Sequence, residues 1–135
     1  MTVIVNDTGF HPDDWTGGFA AFGDCANDVA ALDLPPDADP GAIRHRLGAL
    51  KMVRVDFPSF ADGRGFTIAR QLRLMGYRGR LRACGHVLAD QYAMARRSGF
   101  DEVEIDDDMA TRQPQDQWLA RADWQHNDYQ ARLRG

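Results

Sequence analysis

Between Met52 and Ile105 the chain alternates two hydrophobic periods, and this alternation constrains its fold more than any other feature. Met52–Phe57 places Val53, Val55 and Phe57 on one side of an extended segment, and Pro58 forbids much further pairing. From Phe66 the spacing turns helical, with Ile68, Ala69, Leu72 and Met75 along one side until Gly76. Arg80–Cys84 predicts a second strand broken by Gly85, His86–Arg97 a second helix ended by Ser98 and Gly99, and Asp101–Ile105 a third strand. Strand, helix, strand, helix, strand with short connections is the βαβ pattern, whose right-handed crossovers make the strands parallel and lay helices over the sheet. The expectation is an α/β fold, a single domain with a mainly parallel β-sheet built from βαβ units, an irregular N-terminal segment and a C-terminal helix.

The flanks are less regular. Met1–Asn6 carries a short strand pattern, whereas Thr8–Gly23 mixes Gly, Pro, Asp and aromatics without a period and reads as loop. Ala30–Leu34 predicts a strand ended by Pro35 and Pro36, and Asp39-Pro40 supplies an N-cap and first helical residue for a helix over Pro40–Leu50, with Ile43, Leu47 and Leu50 on one stripe. At 135 residues one domain is expected, with residues 1–28 irregular, 29–106 the α/β body and 110–135 a helical tail. In that tail, over Asp116–Leu133, Trp118, Ala122, Gln125, Tyr129 and Arg132 recur at heptad-like spacing beside Leu119 and Leu133. Such a stripe suits packing on its own domain, docking on a partner, or a homodimer contact.

Composition removes several classes. No apolar run approaches the roughly 20 residues of a membrane span, and Met1–Gly9 lacks the basic and long apolar regions of a secretory signal, so a cytoplasmic protein without membrane contact is expected. A net charge of −4 argues against nucleic acid. Cys25 and Cys84 form no C-x-x-C pair, and His11, His45, His86 and His126 are scattered, so no metal site is expected. Nor is there a fingerprint for a nicotinamide or flavin cofactor. Lys51 is the single lysine beside fifteen arginines, whose forked donors suit oxyanions.

Parallel sheets bind ligands at their strands' carboxyl ends, here Asp56 to Gly65, Ala83 to Asp90 and Asp106 to Asp108. The first contains Asp62-Gly63-Arg64-Gly65 with Thr67, where two glycines could admit an anion to the backbone with Arg64 as counter-charge. The spacing matches neither a P-loop nor a dinucleotide loop. The plainer alternative is a tight turn in which Asp62 caps the helix and Arg64 pairs with Asp56 or Asp62. Gln91 points inward, either stapling its turn or touching a ligand. Arg82 joins Arg64 as an anion clamp, one of Arg80 and Arg82 reaching over the sheet edge. Gly85 opens the next turn, His86 is the side chain suited to proton transfer, and Asp62 and Asp90 orient these groups. Each has a plain reading too, His86 as a cap or surface residue and Asp90 as a partner of Arg97. Cys84 is either activated by the helix start beside it or packed as a small hydrophobe.

An ordered set of residues resembles a known family. The set is Asp56-Phe57-Pro58, then Asp62-Gly63-Arg64-Gly65 with Thr67, Ala69, Leu72 and Arg73, then Gly79 to Gly85, Val87-Leu88, Asp90-Gln91, and Arg97 with Gly99-Phe100-Asp101. It resembles the bacterial family called domain of unknown function 934, over roughly Ala38 to Ile105. Members often carry the label oxidoreductase, and their genes commonly lie beside those for sulfite reductase and for adenylyl-sulfate or phosphoadenylyl-sulfate reductase. The resemblance implies a role in assimilatory sulfate reduction, with no mechanism attached. The chain departs from the family pattern at His86, where aspartate is expected, at Thr67, where serine is usual, and at Ser98, where a cysteine often stands.

Two functions follow. The first is an accessory protein of sulfate and sulfite reduction that contacts sulfite reductase or another sulfate-assimilation enzyme. The second is a small enzyme or binding module for a sulfur oxyanion or an adenylyl-sulfate nucleotide.

Overall fold

The computed structural model describes residues 2–23 and 30–125. Its strands are β1 (Thr2–Asn6), β2 (Gly9–His11), β3 (Ala20–Ala21), β4 (Ala31–Leu34), β5 (Met52–Phe57), β6 (Arg80–Gly85) and β7 (Glu102–Asp106). Its α-helices are α1 (Arg64–Leu74), α2 (Tyr92–Ser98), α3 (Asp107–Arg112) and α4 (Gln115–Leu119), with 3₁₀ turns at Pro40–Arg46 and Ala89–Gln91. One mixed sheet runs β2-β1-β7-β6-β5-β4-β3. Strands β3 to β7 are mutually parallel, while β1 pairs antiparallel with both β7 and β2. Among the described residues no helix is long and apolar enough to cross a membrane.

Because β3 to β7 are laid down in sequence order, each crossover steps the same way, and crossovers of one hand then all fall on one face. The core shows this. Leu34, Val55, Ala83, Val103 and Val5 stand in register across five strands and pack with Ile43, Phe66, Leu72, Tyr92 and Ala95 from the crossovers. Each large aliphatic side chain so buried contributes about 1.5–3 kcal/mol.

Among the described residues no crossover covers the other face, and strand alternation fills it with charge. Asp33, Arg54, Arg82 and Glu102 stand in one row, Asp56, Cys84 and Glu104 in the next. Arg82 is fully buried there, donating to Glu102 at 2.6 Å, Glu104 at 2.8 Å and Asp13 at 3.1 Å. Arg82 therefore lies at the centre of the sheet and not over its edge, where the sequence reading put one of Arg80 and Arg82. Arg80, further along the same strand, reaches Glu102 at 2.7 Å and Asp14 at 2.9 Å.

Asp13 and Asp14 belong to a strap. β2 and β3 occupy opposite edges of the sheet, yet only Pro12–Phe19 joins them. That link reaches about 30 Å fully extended, and six inter-strand gaps cover about 29 Å. It therefore has little length to spare, and with a bend at Gly17 it crosses over the charged face. Asp13 and Asp14 meet β6, and the Phe19 ring lies 3.8 Å from the Arg54 guanidinium on β5.

Several boundaries differ from the sequence reading. Thr8–Gly23, read as loop, contains β2 and β3. The helix expected over Pro40–Leu50 is a 3₁₀ turn ending at Arg46, capped by Asp39 on Gly41 N, with Pro40 and Ile43 as its buried residues. Two glycines in that stretch, Gly41 and Gly48, weaken an α-helix. The second crossover helix starts at Ala89 and not His86, because the Gln91 side chain takes the Leu88 N–H at 2.8 Å and holds Leu88 extended. Asp106-Asp107-Asp108, placed at a strand's carboxyl end from the sequence, also begins α3, with the Asp106 carboxylate accepting from Met109 N at 2.7 Å. The tail forms only α4 and turns as far as residue 125. Trp118 packs inward, edge-on to Tyr92 with ring centroids 6.1 Å apart. Tyr129, Arg132 and Leu133 lie outside the described residues.

Two predictions follow from the charged face. Arg82→Ala removes the buried cation that Glu102 and Glu104 share and leaves them only Arg80 and Arg54, so denaturant unfolding should show a loss of about 3 kcal/mol, the low end for a broken buried pair. The strap should also release in acid. Burial pushes the Asp13 carboxyl up, but hydrogen bonds from Trp15 N and Arg82 outweigh it, and the Arg80 guanidinium holds Asp14 down, so both titrate below the ordinary range. Their contribution is complete above the unfolded value of about 3.9 and is lost as pH falls through the lowered folded values. Hydrogen exchange of residues 13–19 should therefore be flat from pH 7 to 5, after correction for intrinsic rates, and rise below pH 4.

Candidate functional site

The carboxyl ends of the parallel strands open onto two hollows on the charged face, and Cys84 lines both. One, of about 230 Å³, is bounded by Thr2, Phe60, Cys84, Gly85, His86, Glu104, Asp106, Asp108 and Arg112 among others. The other, of about 530 Å³, is bounded by Phe22, Asp33, Leu34, Pro35, Arg54, Asp56 and Cys84 with neighbours from β3.

The turn after β6 sets His86. Gly85 has φ +110°, and a Cβ there would stand 2.8 Å from the Phe57 carbonyl oxygen, so only glycine lets the strands come this close. That carbonyl accepts from His86 N at 2.9 Å and lies 3.2 Å from His86 Nδ1. A carbonyl can only accept, so Nδ1 carries the proton in this contact and Nε2 is left as the ring's basic atom. Phe60 packs edge-on against the imidazole, with centroids 5.0 Å apart.

Cys84 is not activated. Burial first, then the Glu104 carboxylate, push its thiol up to about 12, and it donates to Glu104 at 3.4 Å. Arg54 is saturated. It makes a forked pair with Asp33 at 2.6 and 2.8 Å, turns its remaining nitrogen to both Glu104 oxygens at 3.1 and 3.2 Å, and is held above its ordinary value chiefly by Asp33. Arg112 pairs with Asp108 at 3.1 Å. Asp56 faces the larger hollow with no hydrogen bond or ion pair. The walls thus carry more carboxylates than free cations, which suits polar or cationic groups better than a sulfur oxyanion. Among the described residues no group of three or more His, Cys, Asp or Glu is placed to hold a metal ion.

Of the residues singled out from the sequence, Gly85 and His86 meet at the smaller hollow. Gln91 serves it indirectly, accepting from Leu88 N at 2.8 Å and donating to Phe60 O at 3.1 Å, which ties the two loops together. Asp62, Gly63, Arg64, Gly65 and Thr67 line neither hollow. Asp62 accepts from Arg64 N at 3.1 Å and from its guanidinium at 2.7 Å, so a carboxylate of the chain already occupies the start of α1. At Gly65 a Cβ would fall 2.4 Å from the Phe57 ring, so this glycine serves packing. Arg82 is consumed by its carboxylates, and Asp90 pairs with Arg121 at 2.9 Å, not with Arg97. Asp106 and Asp108 fall at the third strand end expected from the sequence, whereas Asp33, Arg54 and Glu104 were not anticipated. Their signal was the polar phase of the strands, arginine on β5 and β6 beside glutamate on β7.

A family model for bacterial proteins of unknown function, DUF934, matches residues 31–135. The chain belongs to the DUF934 family. No curated protein and no solved structure matches it. The DUF934 match takes in Arg54, Arg82, Glu102, Glu104 and His86, and it continues through the tail, beyond the stretch whose motifs carry the resemblance. Residues 13–19 of the strap lie outside it. One departure from the DUF934 pattern has a structural counterpart. Ser98, at the position where a cysteine is expected, is buried, and its hydroxyl is the one buried side-chain polar atom without a partner among the described residues. The slot suits a thiol, which packs as a small hydrophobe. Ser98→Cys should therefore raise stability by about 1 kcal/mol, read as a higher denaturation midpoint at unchanged m-value.

Proposed function

We propose that this protein is an accessory protein of bacterial assimilatory sulfate and sulfite reduction, working in the cytoplasm by binding an enzyme of that route. One observation carries the choice of binding over catalysis. Arg54, Arg80 and Arg82 are each committed to carboxylates, and the Cys84 thiol is held protonated. The hollows at the strand ends therefore present neither an open anion clamp nor a ready nucleophile. The sulfur route itself rests on the family resemblance and the gene neighbourhood that goes with it.

A second reading has His86 in its favour. Its Nε2 is the basic ring atom at the smaller hollow, so a sulfur oxyanion or adenylyl-sulfate nucleotide bound there would find a proton carrier.

The test has two arms. In the first, the chain is immobilised and offered sulfite reductase, adenylyl-sulfate reductase and phosphoadenylyl-sulfate reductase from the same bacterium, and one of them should be retained. In the second, melting curves are recorded with sulfate, sulfite, adenylyl sulfate, phosphoadenylyl sulfate, NADPH and FMN at millimolar concentration, and they should be unchanged. A ligand at 100 times its Kd would add about 2.7 kcal/mol, an unmistakable shift. Retention of none of the enzymes, with a ligand shift abolished in His86→Ala, would replace the accessory reading with the second.

A further inference from the structure

Helix α1 buries Phe66, Ile68, Ala69 and Leu72 and turns Thr67, Arg70, Gln71 and Leu74 to solvent. Leu74 is 81% exposed, about twice the exposure of Phe60 or Leu119. A lone exposed leucine is ordinary. This one borders a groove of about 270 Å³ between α1 and the 3₁₀ turn, with Pro40, Gly41, Arg44, Gln71 and Met75 as its other walls. Asp39 also lines it, but its carboxylate is occupied in capping Gly41 N at 2.9 Å.

Most arginines of this chain are spent on carboxylates. Arg54, Arg64, Arg73, Arg80, Arg82, Arg96, Arg112 and Arg121 each hold a carboxylate. Among the described residues Arg44, in the groove wall, is not one of these, and neither are Arg78 and Arg97 elsewhere on the surface. Nor is Arg70, which sits one helical turn before Leu74 on the same exposed side. Two unmatched guanidinium groups thus flank an exposed apolar side chain in a protein whose net charge is −4.

We propose that this groove binds an acidic segment of another protein, seating one apolar side chain against Leu74, Met75 and Pro40 while flanking carboxylates meet Arg44 and Arg70. An apolar anchor in a pocket with a charged rim is how short segments gain both affinity and register. The inference rests on the accessory reading and deepens it by naming the surface.

The probe is a fluorescein-labelled heptapeptide, Glu-Asp-Glu-Leu-Glu-Asp-Glu, followed by anisotropy. The peptide should bind, and replacing its leucine by serine should weaken binding about tenfold, or about 1.4 kcal/mol. A lysine version should not bind. Leu74→Ser and the double variant Arg44→Glu/Arg70→Glu should each lose about tenfold, whereas Arg112→Glu, on the other side of the sheet, should bind as the parent does. No binding to 1 mM, or equal binding by parent and groove variants, overturns the proposal. So does concentration-dependent dimerisation that Leu74→Ser abolishes, because the occupant is then a second copy of this chain. The same variants in the enzyme-capture assay separate the two claims. An enzyme retained equally by parent and variants leaves the accessory reading standing and removes the groove. Peptide binding that needs Leu74, without capture of any enzyme, keeps the groove and removes the accessory reading.

Discussion

A guanidinium without access to water sits at the middle of this sheet, and much of the remaining structure serves to satisfy it. Burying an ion costs several kcal/mol unless its donors are all matched by acceptors of opposite charge. Arg82 obtains two from β7, through Glu102 and Glu104, and a third from the strap, through Asp13. The order of the strands makes the strap necessary. With β3 to β7 laid down one after another, the crossovers cover one face only, and the other must be closed by chain from before the first parallel strand. The strap's length leaves almost no slack, so its carboxylates are delivered to β6 by the geometry of the crossing.

The same network bears on function. An arginine-rich chain invites a reading in which guanidinium groups grip oxyanions, but the arginines nearest the strand ends are already matched by the protein's own carboxylates. Among the described residues, arginines without a carboxylate partner are found away from those ends. Arg44 and Arg70 stand on the helical side, next to an exposed leucine, while the strand-end hollows are rimmed with carboxylates. The two faces therefore offer opposite chemistry, and the cationic one has the apolar anchor that a protein contact needs.

The α/β body was legible because its signals are local. Strands β4 to β7 and helix α1 each declare themselves by a period of two or near 3.6 within a few residues, and Pro58, Gly76 and Gly99 mark their ends. Elements held by distant groups were not. β2 and β3 are three and two residues long and owe their form to neighbours across the sheet. The start of the second crossover helix is decided by a side-chain amide that caps Leu88 and also reaches Phe60. At the site, Gly85 and His86 were found by their place at a strand end, whereas Asp62, Arg64 and Gly65 form a self-satisfied turn whose glycine makes room for a phenylalanine ring. The glycine pattern of an anion loop and that of a tightly packed turn are the same pattern in sequence, and only the neighbours distinguish them.

By itself the sequence determined the parallel strand-helix alternation, the apolar phase of each strand and the family to which the chain belongs, because periodicity and motif are properties of neighbouring residues. Only the tertiary structure decided that the described crossovers share one face, that Pro12–Phe19 is a strap, and that Arg82 is buried among carboxylates and not poised over an edge. Those outcomes depend on strand order and on pairs such as Asp13 and Arg82, sixty-nine positions apart. Charge matching over such distances leaves no local trace, since an arginine in a strand looks the same whether water, a ligand or a distant aspartate completes it.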